Sequence, residues 1–184
     1  SLKEHGGFAP NGKRVVLLGA GGAARAACYA LAAENIASLI IANRTVKRAE
    51  CLIGELEDLI DEVDAVALQG PKIGEACANA DLIVNSTSMG MRHGDAEASN
   101  PLKGIVVKPN ALVHDMVYNP LNTPFLSYAH RIGVRTLNGL PMLIYQGAAA
   151  FERWSSKEAP IDCMFQAGER AMASLEQTGR SMAD

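Results

Sequence analysis

Short aliphatic runs alternate along this chain with stretches in which apolar positions recur every three or four residues. Residues 14–18 (Arg-Val-Val-Leu-Leu) are apolar after the first position and end at Gly19, the pattern of a strand buried on both faces. Residues 23–33 are rich in Ala, carry Tyr29 and Leu31, and read as a helix. A second strand is expected at 38–42. An amphipathic helix follows at 45–60, where Ala49, Leu52, Ile53, Leu56 and Leu59/Ile60 recur at helical spacing and Thr45 stands as N-cap. The same reading places strands at 64–68, 81–85, 111–115 and 134–137. It places helices at 73–79, 124–132, 140–154 and 161–175, with Pro141 in a first turn, where its missing N–H costs nothing. Residues 91–110, rich in Gly, Pro, Asn and charge, read as a loop bordering a cleft.

Strands separated by helices at these spacings imply right-handed parallel βαβ units. The expected fold is therefore α/β, a Rossmann-type doubly wound parallel sheet. Residues 1–184 form one domain in this reading, with 156–184 as a C-terminal helical appendage. Such a sheet binds its ligand at the carboxyl ends of its strands. The turn after Leu18, Asn43-Arg44, Asn85-Ser86-Thr87 and Met116-Val117-Tyr118 all stand at expected strand ends.

Composition changes this picture little. The chain is 48% hydrophobic and 20% charged, which suits a packed domain, and its net charge of −3 gives no reason to expect nucleic acid or an anionic membrane as partner. No apolar run reaches the roughly 18 residues of a membrane span. The polar start, Ser1 to Gly7, is no signal peptide and has no initiator Met, so a piece of a longer protein is expected. Cys28, Cys51, Cys77 and Cys163 are widely spaced without a CxxC pair, which points to unpaired thiols in a reducing cytoplasm.

The chemistry concentrates at two of the strand ends. Gly19, Gly21 and Ala24 fit G-x-G-x-x-G/A between a strand and a helix. Gly19 permits the tight turn, Gly21 admits a pyrophosphate to the backbone, and Ala24 lets the helix close on the strand. The helix N-terminus then faces the phosphates. A tight βα turn that binds nothing is the alternative. At the end of the second strand, NAD-binding versions place an acidic residue about 20 positions on to bond the ribose 2′-hydroxyl. Here Asn43 lies 24 residues past Gly19, followed by Arg44, Thr45, Lys47 and Arg48. With no carboxylate to repel it, a 2′-phosphate can bond the forks of Arg44 and Arg48, which favours NADP over NAD. A solvated basic face is the other reading of the same residues.

Five segments together resemble the shikimate dehydrogenase family. They are Gly19-Ala20-Gly21-Gly22-Ala23-Ala24-Arg25, Asn43-Arg44-Thr45-Val46-Lys47-Arg48, Asn85-Ser86-Thr87-Ser88-Met89-Gly90-Met91, Asp115-Met116-Val117-Tyr118, and Asn138-Gly139-Leu140-Pro141-Met142-Leu143-Ile144-Tyr145-Gln146. The resemblance implies an NADP-dependent oxidoreductase of aromatic amino-acid and chorismate biosynthesis that reduces 3-dehydroshikimate to shikimate. It implies that Gly19, Ala20, Gly21, Gly22 and Ala23 hold the pyrophosphate, and that Asn43, Arg44, Thr45 and Arg48 hold the 2′-phosphate end. Thr87 and the Ser88-Met89-Gly90 turn line the nicotinamide side, while Met116 and Gly139 border the ring. Tyr118 and Gln146 reach substrate hydroxyls across an interdomain cleft; by themselves they read as a surface tyrosine and a polar helix residue.

The family's N-terminal substrate domain, with its Lys–Asp pair and carboxylate-binding serines, matches nothing in residues 1–184. Ser1-Leu2-Lys3-Glu4 resembles the middle of a helix leading out of that domain, and the C-terminal helices would pack toward it. The resemblance thus implies the C-terminal NADP-binding portion, which binds cofactor but is inactive alone. No catalytic residue is assigned within it. Quinate or aminoshikimate oxidation, a relative such as glutamyl-tRNA reductase, and a stand-alone nicotinamide-binding regulatory module are the competing readings. A homodimer is left open.

The four histidines show no metal-ligand spacing. His93 reads as a solvated loop residue. His114 is either a general acid or a strand histidine held by a hydrogen bond. The helix before Trp154 is expected to contribute to the core and to a domain-packing surface.

Overall fold

Alternate residues of the first strand enter two different cores. Val15 and Leu17 pack to one side of the sheet and Val16 and Leu18 to the other, all at most 2% exposed. This is the double burial that the continuous apolar run anticipates. In the computed structural model, which describes residues 1–181, six strands form one parallel sheet. They are β1 (Arg14–Leu18), β2 (Ser38–Asn43), β3 (Val63–Ala67), β4 (Leu82–Asn85), β5 (Leu112–Asp115) and β6 (Arg135–Leu137). Their order is β3-β2-β1-β4-β5-β6, so the chain reverses direction across the sheet between β1 and β4. The doubly wound α/β arrangement is therefore the observed one.

Helices α1 (Gly22–Ala32) and α2 (Val46–Ile53) cover one face through Ala24, Cys28, Leu31, Ala49 and Leu52. Helices α3 (Pro71–Asn79) and α4 (Pro124–Arg131) cover the other through Ile73, Cys77, Phe125 and Leu126. Helices α5 (Leu140–Ser155) and α6 (Ile161–Ser181) form a third cluster around Leu140, Ile144 and Met172. Gly168 allows the close approach of α6, because a Cβ there would lie 3.0 Å from Ile144 Cδ1. The expected appendage is thus helix α6 and the turn before it; residues 182–184 lie outside the described residues.

Several expectations change. The helix expected at 45–60 ends at Ile53 and continues as tight turns, with the Leu56 N–H donating to Ile53 O at 2.7 Å and the Leu59 N–H to Leu56 O at 2.8 Å. Gly54 weakens helix propagation, and the turns still carry Leu56 and Ile60 into the core. The apolar spacing is met at Leu52, Leu56 and Ile60 but not by one helix, and Leu59 is 51% exposed. Thr45 is the N-cap residue of α2 but makes no side-chain capping bond. Residues 1–4 begin a turn rather than helix, with the His5 and Gly6 N–H groups both donating to Ser1 O. The helix before Trp154 does contribute to the core, through Leu140, Ile144 and Ala148, while Trp154 itself is 85% exposed. Residues 91–110 do form an irregular loop, pinned by the buried Leu102 and Val107.

Candidate functional site

The β1–α1 turn is built against the end of β4. The Gly19 N–H donates to Ala42 O at 2.8 Å, and the Ser86 N–H and hydroxyl both donate to Leu18 O, at 2.9 and 2.7 Å. Gly19 has φ +110°, and a Cβ there would stand 2.8 Å from Ser86 Oγ. Conformation and space both demand glycine. Ala20 is half-buried against the core, and Ala24 is fully buried. Between them Gly21, Gly22 and Ala23 are exposed, and a Cβ at Gly21 or Gly22 would meet nothing within 4 Å. Gly21 caps α1 without a side chain, so no side chain occupies the first-turn amides. The result is an open, side-chain-free cradle at the point where strand order reverses.

Next to it, at the end of β2, Asn43 donates its amide to Thr45 O at 2.9 Å. Arg44, Thr45 and Arg48 are exposed, and among the described residues neither guanidinium is bonded to the protein. Arg25 differs: it pairs with Glu55 at 2.6 Å, across the outer faces of α1 and the turns after α2.

On the other side of the cradle lies a buried polar chain. The Thr87 hydroxyl donates to Asn85 Oδ1 at 2.6 Å, and the Thr87 N–H donates to the same oxygen at 3.1 Å. The Asn85 amide donates to Asp115 Oδ1 at 2.9 Å and to Met89 O at 3.2 Å. Asp115 also accepts from the Val117 N–H at 2.9 Å and from the Thr123 hydroxyl at 2.6 Å. Thr123 in turn caps α4 by accepting from the Leu126 N–H. Asn85, Asp115 and Thr123 are wholly buried. Burial pushes the Asp115 carboxyl up to about 6, against the pull of its three donors. Sequence reasoning included Asn85 and Asp115 only as motif members and missed Thr123. The available signal was a polar residue closing each of two apolar strands, and a Thr-Pro pair opening a helix.

Met116 and Gly139 are brought together. A Cβ on Gly139 would fall 2.5 Å from Met116 O and 2.6 Å from Val117 O, so the strand-end loop after β5 rests on the start of α5. Met116 and Gln146 share a cavity of about 470 Å³ between α1, α5 and the N-terminal turn, with Ala27, Met142 and Tyr145 also in its wall. Tyr118 is 41% exposed and is not part of that wall, so it is not joined to Gln146. Tyr145 was included only as a motif member; His5 meets its hydroxyl at 3.3 Å and stacks on Phe165.

His114 resolves as a hydrogen-bonded strand histidine. Its Nδ1 lies 3.0 Å from Leu137 O, and burial lowers its pKa to about 4. It is neutral at pH 7, and the ring N–H that it donates is spent on a carbonyl. His93 is an exposed loop residue. Among the described residues no cluster of His, Cys, Asp and Glu could hold a metal ion, and no helix is long and apolar enough to cross a membrane. Cys28 and Cys77 are buried and Cys51 and Cys163 exposed, all as free thiols.

Comparison with known proteins gives a consistent picture. A family model described as shikimate / quinate 5-dehydrogenase matches residues 3–98, and one described as shikimate 5′-dehydrogenase C-terminal domain matches residues 139–167. The chain is 45% identical over 177 residues to the shikimate dehydrogenase (NADP(+)) of Moorella thermoacetica, covering 92% of this chain and 57% of that protein. A solved shikimate 5-dehydrogenase from Listeria monocytogenes, in complex with shikimate and NAD, superposes with TM-score 0.82 at 32% identity, covering 90% of this chain and 58% of that one. The Thermus thermophilus enzyme, in complex with NADP(H) and shikimate, gives TM-score 0.77 at 34% identity, covering 92% and 59%. The chain thus spans 57–59% of the length of these three proteins. The first match takes in both the glycine turn and the basic end of β2, the second takes in α5, and on these grounds the chain belongs to the shikimate/quinate dehydrogenase family.

Proposed function

We propose that residues 1–184 are the NADP(H)-binding domain of a shikimate dehydrogenase, a cytoplasmic enzyme that reduces 3-dehydroshikimate to shikimate. The observation that carries this reading is the side-chain-free cradle at Gly21 and Gly22, flanked by two unpaired arginines with no acidic residue at the end of β2. These residues fit an NADP molecule. The Gly19–Ala23 backbone receives the pyrophosphate, with the α1 dipole behind it. Arg44 and Arg48 take the 2′-phosphate, helped by Asn43 and the Thr45 hydroxyl. Thr87, Met116 and Gly139 bound the nicotinamide side, and Tyr118 and Gln146 are the residues offered to substrate hydroxyls.

When bound, NADPH supplies the hydride. What the chain's own residues do is hold and orient the carrier. Reduction of a ketone also needs a proton donor and a stabiliser of the developing alkoxide. Neither buried candidate here serves: Asp115 is enclosed by three donors, and His114 is neutral and turned to Leu137 O. The proton donor is therefore assigned to a substrate domain outside these residues, and the 184-residue chain alone is expected to bind cofactor without turning over shikimate.

Calorimetric titration of the purified chain tests the reading. NADP+ is expected to bind at least about tenfold more tightly than NAD+, the worth of one charge-assisted bond. Equal affinities would remove the 2′-phosphate assignment, and measurable shikimate oxidation by the chain alone would remove the inactivity claim. Because the matching family model spans quinate as well, a panel of shikimate, quinate and aminoshikimate on an enzyme containing both domains settles the substrate.

A further inference from the structure

The dinucleotide reading leaves the buried carboxyl of Asp115 without a task. Asp115 makes no contact that the proposed chemistry uses, yet its carboxylate joins three separate elements. Its Oδ1 accepts from Asn85 at the end of β4 and from the Val117 N–H in the loop after β5. Its Oδ2 accepts from Thr123 at the cap of α4. A wholly buried carboxylate is costly unless its oxygens are bonded, and here they are.

The consequences run outward on both sides. Through Val117 the carboxylate fixes the loop that carries Met116, whose carbonyl lies in contact range of Gly139. Through Asn85 it fixes Thr87. Asn85 spends its amide on Asp115 and Met89 O, which turns its Oδ1 toward the Thr87 N–H and hydroxyl. The Thr87 proton is thereby committed, and its oxygen already accepts from the Met89 N–H at 3.1 Å. The hydroxyl is left to a ligand only as an acceptor. Met116, Gly139 and Thr87 are the residues placed on the nicotinamide side, whereas no bond of this network reaches Gly21, Gly22, Arg44 or Arg48.

We infer that Asp115 is a positioning residue for the nicotinamide half of the cofactor: through Asn85 and Val117 it sets Thr87 and Met116 in place before the ring arrives. The inference rests on the proposed cofactor site. It is selective, since it predicts an effect on one half of the dinucleotide and none on the other. Preorganised groups that need no reordering on binding contribute to affinity, and a loosened set does not.

The test uses two ligands on the purified protein. NADP+ engages the whole site; 2′,5′-ADP carries the 2′-phosphate and one pyrophosphate phosphate but no nicotinamide. D115N puts an NH2 donor in place of one carboxylate oxygen, which strands either the Thr123 hydroxyl or the Asn85 amide and Val117 N–H together. Thr123→Val removes both the bond to Asp115 and the cap on the Leu126 N–H, and Thr123→Ser restores both, so the conclusion does not depend on the fold of one variant. D115N and Thr123→Val are expected to weaken NADP+ by about tenfold and leave 2′,5′-ADP within about twofold of the parent protein, while Thr123→Ser behaves as the parent. Parallel losses for both ligands, or no loss for either, would overturn the inference. Failure of the parent protein to bind 2′,5′-ADP is a different result: it overturns the cofactor site itself and the inference with it.

Discussion

Two glycines that look alike in the sequence have opposite physical roles. At Gly21 a methyl group points into open space, so Gly21→Ala is expected to leave urea-unfolding stability within about 0.5 kcal/mol of the parent while weakening NADP+, because the methyl occupies the phosphate's approach. At Gly139 the same methyl meets two backbone carbonyls at 2.5 and 2.6 Å, which cannot rotate away. Gly139→Ala is therefore expected to destabilise the fold by about 1–3 kcal/mol, the range for overpacking, in the same urea measurement. Arg44 is the corresponding residue for cofactor choice. Arg44→Ala should weaken NADPH by about 1.5–3 kcal/mol, a charged hydrogen bond, and leave NADH unchanged. Equal losses by calorimetry would show that Arg44 does not read the 2′-phosphate. At this scale the sequence was informative where a residue type has a single use: a glycine between strand and helix, and arginines where an acid is otherwise expected. It gave Tyr145 no role of its own, because the residue that meets its hydroxyl, His5, lies 140 positions away.

The Asp115 network ties elements rather than residues, and its energetics are legible in pH. Burial raises the carboxyl from its ordinary 3.8 to about 6, so between these values the folded chain keeps a proton that the unfolded chain has released. Stability from this group is fully present below about pH 4 and is lost as pH rises through 6, an order of about 3 kcal/mol across the window. Subtracting the D115N unfolding free energies from those of the parent between pH 4 and 7 should isolate that slope. A difference that stays flat would mean the carboxyl is not raised. Element ends were also where sequence reasoning failed most. Periodicity extended α2 to residue 60, but only Val46–Ile53 is helical. An apolar spacing records which side chains must reach the core, and a helix or a series of tight turns can each deliver them.

Over the whole molecule, the sheet order places the glycine turn, the end of β2 and the ends of β4 and β5 along one edge. Each half of the proposed cofactor site then has its own main support: the phosphate half the β1–α1 turn, which abuts Ser86 at the end of β4, and the nicotinamide half the carboxylate between β4, β5 and α4. The most exposed of the large hydrophobic side chains among the described residues, Trp154, stands apart from both. At 85% exposure it contributes little to the fold of this chain, and Trp154→Ser is expected to change thermal stability by less than about 0.5 kcal/mol. A larger loss in a thermal melt would show that the side chain packs in solution.

The sequence by itself determined the alternation of strands and helices, the parallel doubly wound class, the glycine turn between β1 and α1 and the basic end of β2. Each of these depends on local rules: the period of apolar positions, the freedom of glycine, the sign of a charge a fixed distance along the chain. Only the tertiary structure decided that Gly139 closes on Met116, that Gln146 shares a cavity wall with Met116 while Tyr118 does not, that Trp154 faces solvent, and that Asp115 links β4, β5 and α4. Those relations join residues from 8 to 30 positions apart. They follow from strand order and helix packing, which no local spacing encodes, and from the requirement that a buried charge find all its partners wherever the fold has put them.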